Sequence, residues 1–544
     1  MKTTTANTSG LIFRGLAVAV CLLLALYVAA ASPASGQKVT ITIDGSSLHQ
    51  KMDGFGSGFG GFETFERGHF DEYIPVGVSY RTDPQLRRTL IEVAVRELGV
   101  SHLRLWLSQS IERKNDNDDP QVMNWNAFTW KGDSGLPQSP DFRANRQNGI
   151  VQYGEFLREA VPLGLTNWIL TPGRMEDWLH ECFDKKDSNR FEEYAEWAAA
   201  HVLYLKKTYG FEAPYWSMFN EPDMKGWKSP DLWIQWIKAT GRRFRKEGLK
   251  TKIMFPDNAS VFDAVEMVKG VMKDEEVRRY IGALAYHHYY SSGKGPQPFL
   301  TLAENPEQKG ELFEKVTGGI RAMAELGRLY RLPSWQTESA YYPQFTKGLS
   351  EWDVGLGRAN EIHYELVCGA SAVAGMSMIA SDAVDYRYQM TMRHNGHHIV
   401  MRTDGQRVDH WEITRDGGAV FAHYGRFVRP GDQRIAAGSS EPMLHVTAFV
   451  ANKGRRYVAV AINNSAESKN AVFELNNLAW RPEYAAGFLT DAGRMLADFP
   501  VVRQGNSKNY EVVLPPKSLA TIVWSQEKIG GVRGPLGGDV AGKQ

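Results

Sequence analysis

The run "YWSMF" (215–219) ends on Asn220, Glu221 and Pro222, and the run "PSWQT" (333–337) ends on Glu338. Each carboxylate follows a stretch that reads as buried β-strand, where an ionised side chain is costly unless it is paired or put to use. Two carboxyl groups held across a cleft can divide a bond cleavage between them. One protonates the departing oxygen while the other stabilises or attacks the carbon left behind, which is what hydrolysis of a glycosidic bond needs. Separation decides the stereochemistry. At about 5–5.5 Å the second carboxylate acts as nucleophile and configuration is retained, whereas a wider gap admits a water and inverts it.

The elements that must bring these groups together are eight apolar, strand-like runs alternating with amphipathic helical segments, the pattern of a parallel α/β architecture. The runs are "MDGFGS" (52–57), "SHLRLWL" (101–107), "LTNWIL" (165–170), "PYWSMF" (214–219), "TKIMFP" (251–256), "GALAYHHYY" (282–290), "PSWQTES" (333–339) and "AVAGMSMI" (372–379). In "PQLRRTLIEVAVREL", Leu86, Leu90, Val93, Ala94 and Leu98 recur at helical spacing. In "SPDLW", Ser229 stands at the cap, Pro230 in the first turn and Asp231 near the positive end of the helix. Eight strand and helix pairs predict a (β/α)8 TIM barrel, a doubly wound open sheet being the alternative. A barrel gathers its chemistry at the C-terminal strand ends. The fourth strand then delivers Asn220 and Glu221, the seventh Glu338 and the second Arg104. The sixth delivers His287, His288, Tyr289 and Tyr290; neighbours on a strand face opposite ways, so its mouth-facing residue is left open.

From about Arg429 the pattern changes to alternating apolar and polar residues between Asn, Gly and Ser turns, which reads as an attached antiparallel β-sandwich. The segment 38–50 alternates in the same way. The expected division is a signal peptide over 1–36, a strand of the sandwich at 37–51, the barrel over 52–428, the sandwich over 429–527 and a flexible Gly-rich tail over 528–544.

The leader places Lys2 and Arg14 before "GLAVAVCLLLALYVAAA" and "SPASGQ", the three-part layout of a secretory signal, with a membrane anchor as the competing reading. The expected location is secreted, periplasmic or cell-surface. Beyond the leader only Cys182 and Cys368 remain, enough for one disulfide but not for a zinc site. Over 544 residues, 63 basic and 62 acidic side chains balance to a formal charge of +1, so nothing suggests nucleic acid as a partner. Aromatic residues make up 11% with 15 Trp, ample for a core and for platforms under sugar rings.

"FNEP" at the end of the fourth strand and "QTES" at the end of the seventh resemble the clan of retaining (β/α)8 glycoside hydrolases. The closest likeness is to glycoside hydrolase family 30, the group of glucosylceramidases, β-1,6-glucanases, β-1,6-galactanases and xylanases. "KMDGFGSGFGG", "RLWLS", "FAHYGRFVRPGDQRI" and "LPPKSLATIVW" carry the likeness along nearly the whole mature chain. The resemblance implies Glu221 as acid/base and Glu338 as nucleophile, with Asn220 on the sugar 2-hydroxyl and Arg104 holding Glu338 ionised. Trp178 is implied to contact substrate, and His288 or Tyr290 to hydrogen-bond the nucleophile. It also implies a β-linked oligo- or polysaccharide, or a glycolipid, as partner, and no cofactor or metal. A transglycosylase and a non-catalytic glycan-binding barrel are the alternatives.

The likeness is uneven. Where the family reads Ser-Pro-Trp-Ser-Pro-Pro-Ala-Trp-Met after the third strand, this chain reads "TPGRMEDWL", with Gly173 in place of the first Trp. The eighth strand, "GMSMIASD", lacks the tryptophan that many clan members use as a sugar floor. The loop aromatics Trp125, Phe128 and Trp130, or Tyr386, Tyr388 and Trp411, are candidates for that floor or for local packing. "ERKNDNDDPQ" (112–121) reads as a solvated loop rather than a calcium site, and "HNGHH" (394–398) as a polar loop. "GFGSGFGG" lacks the residues that follow a phosphate-binding loop and is assigned to close backbone packing, with Asp53 as a structural neighbour.

Overall fold

A computed structural model describes residues 38–59, 84–107, 111–112, 114–115, 119–128, 130, 149–173, 175–289, 299–300, 309–341, 343–381, 396–403, 408–451, 455–505, 507–528 and 537–539. The leader, Tyr290, Tyr386 and Tyr388 lie outside the described residues.

The chain opens with β1 (Val39–Lys51), which belongs to the C-terminal sheet, and then builds a closed parallel barrel. Its staves are β2 (Gly54–Phe59), β3 (His102–Leu107), β4 (Asn167–Pro172), β5 (Tyr215–Ser217), β6 (Lys252–Asn258), β7 (Ile281–His287), β8 (Ser334–Glu338) and β9 (Ala372–Ser377). Each predicted run supplies one stave, in order, and β9 closes on β2. The staves read as unbroken apolar runs because helices cover one face and the filled lumen the other. All six residues of β3 and of β4 are buried. Ile169, Met254, Ala283, Ala285, Trp335 and Ala372 pack together as one apolar cluster within the barrel. Glycine lets β2 sit close to its neighbours. A Cβ on Gly56 would fall 1.6 Å from the His102 carbonyl oxygen, and one on Gly58 would fall 3.0 Å from the Glu338 side chain.

The surrounding helices are capped as their sequences suggest. Ser260 accepts from the Phe262 N–H, and Ser350 and Asp353 form a reciprocal capping box on Glu351–Cys368. Ser229 and Pro230 do open a helix, although the Ser229 side chain makes no capping bond.

After the barrel come β10 (Ile379–Ser381), β11 (Ile399–Thr403) and β12 (Val408–Ile413), then β13 (Gln433–Ser439), β14 (Leu444–Val450), β15 (Arg456–Asn463), β16 (Lys469–Asn476), β17 (Tyr484–Thr490), β18 (Ala497–Phe499), β19 (Val502–Arg503), β20 (Asn509–Leu514) and β21 (Ser518–Ser525). β1 and β13–β21 make a ten-stranded sheet around a second apolar core, the side domain expected from the alternating pattern. β1 lies between β13 and β16, antiparallel to the first and parallel to the second. The last described strand, β22 (Gly537–Asp539), pairs with β12 in a small sheet of four. A flexible tail is the expectation from its glycines, so this pairing differs from the sequence reading: β12 offers an edge, and an edge pairs through backbone groups that glycine also has. Among the described residues no helix is long and apolar enough to cross a membrane.

The outer face of the sandwich is fixed to the barrel. His423, on the returning helix Val420–Gly425, is bonded at its two ring nitrogens to Thr521 and Thr490, each at 2.8 Å.

Candidate active site

β5 keeps ladder pairing over three residues only, yet the chain beyond it stays tied on both sides. The Asn220 N–H donates to the Pro172 carbonyl at 2.9 Å, and the Glu221 N–H donates to the Asp257 carbonyl at 3.0 Å. Glu221 (φ 50°) and Asp257 (φ 63°) both adopt the left-handed backbone that a Cβ disfavours. Backbone strain of this kind persists where surrounding bonds over-determine it, commonly at a working site. Pro222 then starts a short turn, and Asp223 fastens it by accepting from the Ala259 and Ser260 N–H groups at 2.9 and 3.2 Å. The Glu221 side chain is left 26% exposed at the barrel mouth, where a substrate can reach it.

Opposite stands Glu338, the last residue of β8, almost wholly buried. One oxygen of Glu221 and one of Glu338 lie within 4.8 Å of each other and of a His287 ring nitrogen. Arg104 underlies the group. Its Nη1 donates to Glu338 Oε2 at 2.7 Å, its Nη2 donates to Asn220 Oδ1 and, at 3.1 Å, to Asp257 Oδ2. Burial works against the Arg104 charge, but Asp257 and Glu338 more than offset it.

Asp257 is fully buried and accepts from Arg104, from Ser217 Oγ at 2.9 Å and from Thr337 Oγ1 at 2.8 Å. Burial alone would raise its carboxyl, yet Arg104 and His287 hold it well below the usual carboxylate range. His287 bridges the two halves of the site, with Nε2 3.0 Å from Asp257 Oδ1 and Nδ1 3.1 Å from Glu221 Oε1. Burial opposes its charge, but Glu338 and Asp257 push it up to about 10, so it is an imidazolium at neutral pH that donates from both nitrogens. Burial pushes the Glu338 carboxyl up, and the His287 and Arg104 cations oppose that rise.

Glu221, Glu338, Arg104 and Asn220 are thus brought together as the sequence suggests. His288 is not among them. It points the other way on β7, at Glu361 (3.2 Å from Nδ1) and at Glu365, both on the helix Glu351–Cys368. The register sets His287 beside Glu338, so odd-numbered residues of this stretch face the mouth and His288 faces the helix layer. Tyr289 shares the His287 side and lies near Met376, its hydroxyl 3.6 Å from the sulfur. Trp178 stands on the helix after β4, half-buried, its indole N–H donating to the Glu112 carbonyl at 2.8 Å.

Asp257 and His287 carry the site together with the predicted residues, and the first was missed. Its signal was legible: "FPDN" (255–258) ends a buried run on polar residues just as "FNEP" does. Trp125, Phe128 and Trp130 pack on one another and on the helix Arg190–Tyr209, Trp130 stacking on Tyr204 at 4.1 Å. They serve local packing. His397 and His398, expected in a polar loop, are buried, and burial beside Arg358 pushes each down to about 3. Cys182 and Cys368 are separate thiols.

Among the described residues, Glu221, His287 and Glu338 are the one group of acid and histidine side chains close enough to hold a metal ion. Arg104 already bonds one oxygen of Glu338, and His287 is engaged by Asp257 and Glu221.

Among solved structures, the catalytic domain of the family 30 xylanase C from Talaromyces cellulolyticus superposes with a TM-score of 0.62 at 18% identity, covering 90% of this chain and 100% of its own. An endo-β-1,6-glucanase gives 0.59 at 15% identity over 91% of this chain and 95% of its own. A conserved exported protein from Bacteroides fragilis gives 0.63 at 16%, over 89% and 100%. At such identities the likeness shows the fold, and the fold is the barrel with sandwich of the family 30 glycoside hydrolase structures. No family sequence model and no curated protein matches the chain.

Proposed function

We propose that the protein is a secreted retaining β-glycoside hydrolase that cleaves a β-linked glycan through a covalent glycosyl-enzyme. The observation that carries the reading is the pair of glutamates at the mouth, one oxygen of each within 4.8 Å of the other, which agrees with the short carboxyl separation of double displacement rather than the wide gap of inversion. Glu338 attacks that carbon while Glu221 protonates the departing oxygen. Glu221 then takes the proton of the water that releases the sugar.

Electrostatics support the division of roles. Arg104 and His287 place two positive charges against the carboxylates of Asp257 and Glu338. The more buried carboxylate is the one bonded to arginine, as suits an ionised nucleophile, and the more exposed one can meet leaving group and water. Asn220, held by Arg104, is placed beside Glu221 to bond the sugar 2-hydroxyl. Secretion rests on the apolar leader after Lys2 and Arg14.

The test is hydrolysis of xylan, β-1,6-glucan and β-1,6-galactan, with chromatography to identify the products and proton NMR to follow the first-formed anomer. Retention supports double displacement, and inversion overturns it. A wild-type protein that binds these glycans and cleaves none is the outcome that ends the enzyme reading.

A further inference from the structure

Side chains that share a direction along β3 are His102, Arg104 and Trp106, because successive residues of a strand alternate between faces. Arg104 points into the lumen, so Trp106 does too, one layer nearer the mouth. On β4, Thr171 faces the same lumen, its hydroxyl 3.4 Å from Arg104 Nε, and Gly173 follows in the next layer up. The Gly173 N–H donates to the Leu107 carbonyl at 2.9 Å, which keeps the two chains in register past the end of the strand. Trp106 and Gly173 are therefore neighbours in the top layer.

Their relation is steric. A Cβ built on Gly173 would fall 1.9 Å from two carbons of the Trp106 indole and 2.3 Å from its nitrogen. The indole lies across the space that a side chain at position 173 would fill, and only glycine admits it. The Arg104 guanidinium carbon is 5.8 Å from the ring centroid, and the same guanidinium holds Glu338 and Asn220. The Tyr153 hydroxyl donates to the Trp106 carbonyl at 2.7 Å and fixes the backbone from which the ring projects. The indole, 7% exposed beside a nucleophile that is itself 5% exposed, thus stands in the layer directly above the arginine that holds that nucleophile.

We propose that Trp106, admitted by Gly173, is the aromatic platform for the sugar that reacts, and that it selects a neutral pyranose presenting an apolar C–H face. The proposal rests on the glycosidase reading. A pyranose has little apolar surface beyond such a face, and an indole is the largest flat partner a protein can offer it. Because the ring is set by its neighbours before substrate arrives, its contact costs little ordering on binding.

The experiment uses dinitrophenyl fluoroglycosides of xylose, glucose and galactose, which trap the glycosyl-enzyme, with mass spectrometry locating the label and inactivation kinetics separating reversible binding from the covalent step. Wild type is expected to label on Glu338 with at least one of the three. Trp106→Leu, which keeps the apolar volume without the flat ring, is expected to weaken reversible binding about tenfold while leaving the covalent step within a few-fold. Trp106→Phe recovers most of that loss, and Gly173→Ala, which leaves the indole intact but displaces it, reproduces it. Equal binding by wild type and Trp106→Leu, both thermally stable, overturns the platform and leaves the glycosidase reading standing. No labelling of wild type by any of the three, together with no cleavage of the β-glycans, overturns both.

Discussion

His287 Nε2 lies 3.0 Å from Asp257 Oδ1 with both side chains fully withdrawn from water. A buried imidazolium survives only beside buried negative charge, and here Asp257 supplies it from below while Glu338 stands 4.0 Å from Nδ1. His287 is pushed from its ordinary 6.5 up to about 10 on folding, so the folded chain holds a proton that the unfolded chain releases. Its contribution to stability is then complete below pH 6.5 and is lost as pH rises toward about 10. Denaturant midpoints measured across that interval should fall with pH. His287→Gln should flatten the fall, and an unchanged wild-type midpoint across the interval would show that the imidazolium is absent.

The two glutamates should separate by leaving group. Glu221→Gln removes the proton donor, at a cost of roughly 10²–10⁴-fold in kcat/KM on substrates with a sugar or alkyl leaving group. A dinitrophenyl glycoside needs no protonation to depart, so the same variant should form the glycosyl-enzyme from it at close to the wild-type rate. Glu338→Gln removes the nucleophile and should fail on both. Equal losses for Glu221→Gln on the two substrate types would remove the acid role from Glu221.

The barrel was legible because parallel strands covered on both faces write themselves as unbroken apolar runs, and Glu221 and Glu338 because a carboxylate at the end of such a run stands out. Arg104 stood out likewise, as a cation inside "HLRLWL". What sequence hides is direction. His287 and His288 are adjacent and chemically identical, and only the register of β7 on β8 makes one a partner of Glu221 and the other a partner of the helix layer. A pair of signs for the second lay elsewhere in the chain: Glu361 and Glu365 fall four apart on a helix, on its buried face. Asp257 was hidden by its proline, since "TKIMFP" reads as a strand already ended one residue before it. Nor does local composition reveal that Gly173 makes room for Trp106, two residues from different strands with nothing between them in sequence but distance.

Arg104 should prove intolerant of even the conservative change. One guanidinium serves Glu338, Asn220 and Asp257 at once from a planar fork, and an ammonium cannot span the three. Arg104→Met leaves Asp257 and Glu338 buried with His287 alone to balance them, and about 3–5 kcal/mol of unfolding free energy should go with the lost partner. Arg104→Lys restores the charge and part of that stability, but should leave kcat depressed because Glu338 and Asn220 lose their shared anchor. Urea unfolding beside steady-state kinetics reads the two effects separately. Full activity in Arg104→Lys would mean that charge alone, and not the fork, serves the nucleophile.

The seam between barrel and sandwich gives a prediction about stability. Asn360, on the helix Glu351–Cys368, and Asn464, the residue after β15, exchange side-chain amide bonds at 2.9 and 3.0 Å. His445 adds a third bond, its Nδ1 2.8 Å from Asn360 Oδ1. All three side chains are buried, so removing one leaves its partners without water to replace it. Asn360→Ala should cost about 1–3 kcal/mol by urea unfolding, and Asn464→Ala a similar amount. The double variant should cost much less than the two together, because the second substitution removes a group that the first has already orphaned. Simple additivity in that cycle would mean that the amide pair does not act as a unit, and that the apolar contacts alone hold the two domains together.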